Sequence, residues 1–142
     1  MTIDEVKAAI PHREPMLLVD EVVSRSDDAI VCRKTFHAHE YFVQGHYPDQ
    51  PIVPGVILCE SVVQSGAVLL ASKMAVGEGA VPVLTRMNDV RFKTMVVPGD
   101  TIEVSAKIDE VVSTAFYLTG IAKVNGKVAV RLSFTCTAAT PQ

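Results

Sequence analysis

The chain has 142 residues, 49% of them hydrophobic and 20% charged, with a formal charge of −3. That length favours one compact domain over residues 1–142, and that composition excludes a disordered chain. The slight acidity argues against a nucleic-acid-binding protein, which carries a basic stripe. The longest uncharged runs, 61–72 and 111–122, have twelve residues each, short of the roughly 18 that a membrane-spanning helix needs. Acids in Met1-Thr2-Ile3-Asp4-Glu5 occupy the place where a secretory signal carries basic residues. A soluble, cytoplasmic chain is therefore expected. Cys32, Cys59 and Cys136 are odd in number and have neither CxxC nor Cys/His ligand spacing. They are expected to be buried reduced thiols, not disulfide partners or zinc ligands.

In chain order, Thr2 and Glu5 have the spacing of a capping box, predicting a short helix to about Ile10, where Pro11 stops it. Residues 16–23 and 29–36 predict two strands around the polar turn 24–28. Gly45, Pro48, Pro51, Pro54 and Gly55 punctuate residues 44–55, so a stiff loop is expected there. A helix should start beside Pro54 and run through about Met74. Within it Glu60, Ser61, Gln64 and Ser65 form a narrow polar stripe at helical spacing, and the other positions are apolar nearly all round, the pattern of a buried helix. The period then changes to two. Ile102, Val104, Ala106 and Ile108 alternate with polar residues, as do Val128, Val130, Leu132, Phe134 and Cys136. Between the two runs Asn125-Gly126 signals a type I′ hairpin, and Pro98-Gly99-Asp100 marks another turn. An α+β layer fold follows, an antiparallel sheet covered on one face by a single long apolar helix.

One segment is unlike scaffold: Gln44-Gly45-His46-Tyr47-Pro48-Asp49-Gln50-Pro51-Ile52-Val53-Pro54-Gly55-Val56. Here a histidine sits on a proline-braced loop leading to a helix N-terminus. Fourteen positions beyond His46, Glu60 places an acid in an apolar helix, where the protonated form of a carboxyl is favoured. Such a pair suits general base and general acid work. The free N–H groups near Gly55 and Val56 favour developing negative charge, and glycine at 55 allows close approach to the backbone. Residue chemistry alone leaves open that His46 caps or packs a loop and that Glu60 faces solvent or a subunit boundary. His12, His37 and His39 read as capping or packing residues.

The run Gly45-His46-Tyr47-Pro48, Pro51 to Val56, Glu60 and Gln64 resembles the signature of bacterial 3-hydroxyacyl-[acyl-carrier-protein] dehydratases. Two further blocks agree in order and spacing: residues 10–20 (Ile10-Pro11-His12-Arg13 onward) and 90–100 (Val90-Arg91-Phe92-Lys93 onward). The resemblance implies the hot-dog fold, an antiparallel sheet wrapped around one long helix. It further implies His46 as base, Glu60 as acid, Gly55 N–H on the thioester carbonyl, and Gln64 orienting the Glu60 carboxyl across an i,i+4 spacing. By the same resemblance His46 of one chain meets Glu60 of its dimer mate, dimers assemble further as trimers of dimers, and no metal or redox cofactor takes part. The implied reaction removes water from a (3R)-3-hydroxyacyl thioester in fatty-acid synthesis.

Departures are few. Tyr47 replaces the usual Phe, and Asp49 stands where Gly is common, a residue that tolerates left-handed angles. Glu14 and Met95 replace a frequent aromatic and a proline, and Ser61-Val62-Val63 replaces Ala-Met-Ala. The substrate is expected to arrive on an acidic acyl carrier protein, for which Arg91 and Lys93, two apart on one strand face, are candidate contacts. The same two charges also suit a solvated edge strand. Rival readings are a related dehydratase/isomerase, which carries Asp at the acid position, a hot-dog thioesterase, and a non-catalytic thioester-binding module.

Overall fold

The computed structural model describes residues 2–47, 49–74 and 80–139. Pro48, one of the loop-bracing prolines, and the polar tail 140–142 lie outside the described residues. The elements are α1 (Ile3–Ala9), β1 (Glu21–Arg25), β2 (Ala29–Thr35), α2 (Tyr41–Gln44), α3 (Gly55–Leu70), β3 (Val81–Phe92), β4 (Thr101–Val112), β5 (Ala115–Val124) and β6 (Lys127–Ala139). All six strands join one antiparallel sheet in the order β1-β2-β4-β5-β6-β3.

The alternating runs put one face of β4 (Ile102, Val104, Ala106) and of β6 (Val130, Leu132, Phe134, Cys136) into the core. Opposite them α3 buries every residue from Leu58 to Leu70 except Glu60. Each such Val or Leu contributes about 1.5–3 kcal/mol of transfer free energy. Glycines set how closely helix and sheet approach: a Cβ on Gly66 would lie 2.8 Å from Phe134 Cζ, and one on Gly120 would collide with Val62. This is the hot-dog arrangement, a six-stranded antiparallel sheet with one central helix packed against it.

Turn chemistry places the strands. Asn125 and Gly126 both take positive φ (+51° and +78°), as a type I′ hairpin requires. Gly99 at φ +97° completes a type II turn after Pro98, with Asp100 N–H donating to Val97 O at 3.0 Å.

Four details differ from the sequence expectation. Thr2 occupies the N-cap of α1 but makes no side-chain cap bond. Residues 16–20 are not a strand; β1 begins at Glu21. Their apolar side chains are buried at Leu17, Leu18 and Val19, yet Leu18 N–H donates to Gln64 Oε1 (2.7 Å) and Leu18 O accepts from Ser61 Oγ (2.8 Å). The backbone partners of Leu18 are thus side chains of α3, and the segment reaches β2 at its end, where Asp20 N–H donates to Arg33 O at 2.8 Å. Regular α-helix closes at Leu70, with looser turn bonds carrying the chain to Met74, because Arg25 Nη2 reaches across to Leu69 O and Ser72 Oγ and satisfies the helix end. Finally, α2 and the long strand β3 had no period to announce them.

The three cysteines are free and buried. Burial pushes the Cys32 and Cys136 thiols up to about 11 and raises Cys59 as well.

Candidate active site

His46 follows the single turn of α2, its own N–H donating to Val43 O at 3.1 Å. Its ring Nδ1 lies 3.1 Å from Ile52 O, across the loop. A carbonyl can only accept, so Nδ1 carries a proton, and in the neutral form of the ring Nε2 is the unprotonated nitrogen. The loop closes through Gln50 N–H to Tyr47 O (3.0 Å). Its left-handed residue is Tyr47, at φ +53°, not Asp49; a bulky residue there costs about 1–3 kcal/mol and needs surrounding structure to hold it. The Tyr47 ring sits edge-on to His46 at 4.6 Å.

Glu60 lies in the second turn of α3, and its Oε2 accepts from Gln64 Nε2 at 2.8 Å. Gln64 is itself fully buried and pinned: Oε1 accepts from Leu18 N–H, and Nε2 donates to Met16 O at 2.7 Å. Those two backbone partners fix which way the amide points, so the Gln64 bond to Glu60 is an N–H donation. The polar stripe of α3 is therefore not a solvated face, since Ser61, Gln64 and Ser65 are wholly buried. The Glu60 side chain keeps 30% of its surface exposed, so within one chain it is not enclosed by apolar groups as the helix pattern suggested.

His12 Nε2 stands 3.8 Å from Glu60 Oε2, while its Nδ1 is buried with no hydrogen-bond partner among the described residues. His12 thus lies beside Glu60, whereas His37 and His39 stack on each other at 5.3 Å. Nothing in the spacing announced the pairing of residue 12 with residue 60, which only the docking of the 12–18 segment on α3 creates.

Gly55 opens α3, where a Cβ would lie 2.7 Å from Phe92 Cε1. Val56 beside it is 72% exposed. Gly55, Val56, Phe92, Lys93 and Met95 line a groove of about 520 Å³, and Tyr47, Asp49 and Gln50 line a neighbouring one of about 610 Å³; both share Ile52 and Met95. Arg91 is exposed on β3 directly across from Arg131 of β6, and Lys93 lies one residue past the strand. Among the described residues no hydrogen bond or ion pair joins His46 to Glu60 within the chain, and no three His, Cys, Asp or Glu side chains are grouped to hold a metal ion. No helix among the described residues is long and apolar enough to cross a membrane.

Comparison with known proteins agrees. The family model of the FabA-like domain matches residues 10–133. The 3-hydroxyacyl-[acyl-carrier-protein] dehydratase FabZ of Streptococcus pyogenes serotype M1 is 41% identical over 138 residues, covering 96% of this chain and 99% of that one. Its counterpart in Clostridium perfringens strain SM101 is 38% identical over 129 residues, 91% and 92% of the two chains. Among solved structures, the dehydratase heterocomplex ApeI:P from Xenorhabdus doucetiae superposes with a TM-score of 0.79 at 19% identity, covering 96% of this chain and 91% of that one. A hypothetical thioesterase with coenzyme A from Streptococcus pneumoniae gives 0.64 at 11% identity, with 86% and 90% covered. At those identities the two structures show a shared fold alone. The sequence matches go further, and on them the chain belongs to the FabA-like family and, within it, to the 3-hydroxyacyl-[acyl-carrier-protein] dehydratases named FabZ.

Proposed function

We propose that this chain, acting as one domain, is a hydro-lyase that converts a (3R)-3-hydroxyacyl thioester on acyl carrier protein into the trans-2-enoyl thioester and water, in fatty-acid biosynthesis. The observation that carries the assignment of roles is the Ile52 carbonyl on His46 Nδ1, which leaves Nε2 as the base. Nε2 takes a proton from C2, the C2–H electrons form the C2–C3 double bond, and the C3–O bond breaks. Glu60 supplies the proton that turns the departing hydroxyl into water, with Gln64 on Oε2 leaving Oε1 free to carry it. The Gly55 N–H at the start of α3, with Val56 beside it, stabilises charge developing on the thioester oxygen. Cycle by cycle, His46 must lose the proton it gained and Glu60 regain one, which solvent exchange provides.

The pair belongs to two chains in this reading. β3 is a free edge strand of twelve residues, none of them buried, with Val83, Leu84, Met87 and Phe92 all exposed. An edge of that length is a pairing template, and a second copy brought to it by a two-fold axis makes an isologous homodimer, which further assembly would turn into a trimer of dimers. Mixing His46→Ala chains with Glu60→Gln chains tests the sharing. A mixed dimer keeps one intact site, so random exchange should restore about a quarter of wild-type activity; no restoration sinks it.

Carrier docking is assigned to Arg91, Lys93 and, unannounced by the sequence reading, Arg131. None of the three joins an ion pair among the described residues. Like charges set directly across a sheet repel, an arrangement that an acidic carrier relieves, and Lys93 lines the groove that holds Gly55. Three free buried thiols fit a reducing cytoplasm.

The deciding experiment offers an enoyl thioester to the purified chain and follows three products. Reversible hydration alone is expected. Release of free thiol would make it a thioesterase, migration of the double bond an isomerase, and no turnover a binding module.

A further inference from the structure

We propose that Lys34, through its buried ion pair with Glu40, is a positioning residue that holds the His46 imidazole in register. This rests on the reading of His46 as the base. The Lys34 side chain is 6% exposed and its Nζ lies 2.7 Å from Glu40 Oε1 and 3.9 Å from Asp20 Oδ1. An ammonium this buried in a strand of the sheet is expensive and persists only with partners. Its partners lead to one place.

Glu40 is the N-cap residue of α2, and its other oxygen accepts from His37 N–H at 2.8 Å, closing the turn that starts α2. Lys34 Nζ also stands 5.4 Å from the centre of the Phe36 ring, and Phe36 meets Phe42 of α2 edge-to-face at 5.9 Å. β2 and Phe36 just beyond it thus grip α2 twice, once at its N-cap through charge and once at Phe42 through the edge-to-face rings. α2 is only four residues long, too short to hold its own shape. Yet its last turn delivers Gly45 and His46, with Val43 O accepting from His46 N–H. If α2 shifts, His46 moves off Ile52 O, and the ring loses the contact that selects its tautomer.

The pairing connects residues that the catalytic loop does not touch, so its effect should fall on the chemical step. Displacing a reacting group by about 1 Å costs up to about 100-fold in rate. In the enoyl-thioester hydration assay Lys34→Met should lower kcat about 10- to 100-fold with KM within about 3-fold, and Lys34→Arg, which keeps the cation, should recover most of it. Lys34→Met combined with Glu40→Gln leaves no lone buried charge and serves if the single variant does not fold. A structural role alone would lower kcat only through unfolding, so the decisive readout is the nitrogen-15 spectrum of the His46 ring, recorded well below each variant's Tm. Wild type and Lys34→Arg should show a protonated Nδ1 and an unprotonated Nε2; Lys34→Met and the Lys34→Met/Glu40→Gln double variant should show a mixed tautomer. Leu70→Ala, truncating a core residue at the far end of α3, should lower Tm yet leave that spectrum unchanged. An unchanged His46 spectrum in Lys34→Met and in the double variant overturns the proposal. A changed spectrum with undiminished kcat upholds the positioning and overturns instead the role of His46 as base.

Discussion

β3 and β4 are both twelve residues long and lie in the same sheet, but they live in different surroundings. β4 sits between β2 and β5, and its first half alternates exposed and buried as the pleat dictates. β3 has β6 on one side and nothing on the other, and none of its residues is buried. The difference extends along α3. Its last three turns are sealed against the covered strands, whereas its first turn, with Gly55, Val56 and the Phe92 ring, is open. Stability therefore resides in the β4–β6 half of the molecule, and the candidate chemistry resides where the single chain is unfinished.

That contrast can be broken or sharpened by substitution. The largest effects should come from the open side without loss of fold. His46→Ala and Glu60→Gln should each lower turnover by about 10²–10⁴-fold in the hydration assay, with unfolding curves close to wild type because neither side chain is fully buried. A folded variant that keeps its rate removes that residue from the mechanism. Next comes Gln64→Ala, which joins the two sides. It strands Leu18 N–H and Met16 O and should cost about 2–4 kcal/mol in urea unfolding while also lowering kcat through Glu60.

Two glycines then set the sides against each other. Gly120→Ala drives a Cβ into Val62, buried with no room to move, and should cost about 1–3 kcal/mol. Gly55→Ala meets first the Phe92 ring, the far end of a side chain 54% exposed within one chain, so its Tm should fall less. Equal losses would mean that the α3 N-terminus is as tightly covered as its middle. A separate effect belongs to alkali. Cys32 and Cys136 hold their protons up to about 11 in the fold, against about 9 when unfolded. Between those values the native state binds more protons, so their contribution is whole below pH 9 and is lost as pH rises toward 11. Each thiol should subtract about 1.4 kcal/mol per pH unit in that window. Urea titrations at pH 8 and pH 10 check this, and Cys32→Ala with Cys136→Ala should flatten the slope.

The covered half was legible because burial on one face writes itself into the chain. Val104 and Ala106, or Leu132 and Phe134, alternate with polar residues since each strand has one wet side, and Asn125-Gly126 stands where both residues need positive φ. The length of β3 was not legible, because a strand with only Val81, Pro82 and Val90 half-buried carries no regular period over Val81–Phe92. The run 16–20 misled for the opposite reason: Leu17, Leu18 and Val19 are buried like strand residues, but Gln64 and Ser61 take the backbone N–H and carbonyl of Leu18, and Leu17 N–H turns back to Arg13 O. His46, Glu60, Gly55 and Gln64 were found as a set only through the family signature, since apolar spacing says nothing about a proton. His12, Arg131 and Lys34 had no signal at all.

By itself the sequence determined the layers of this protein, a buried helix against an antiparallel sheet, because hydrophobic period and turn residues act locally and leave their spacing in the chain. Only the tertiary structure decided which polar atoms meet: the Ile52 carbonyl on His46, Gln64 between Glu60 and the 16–18 backbone, Lys34 beneath α2. The Gln64 bonds to the 16–18 backbone join residues more than forty positions apart. The His46–Ile52 and Lys34–Glu40 contacts, though six positions apart, close only where α2 and the loop after it are packed in place. Packing sets such bonds, and no local period records them.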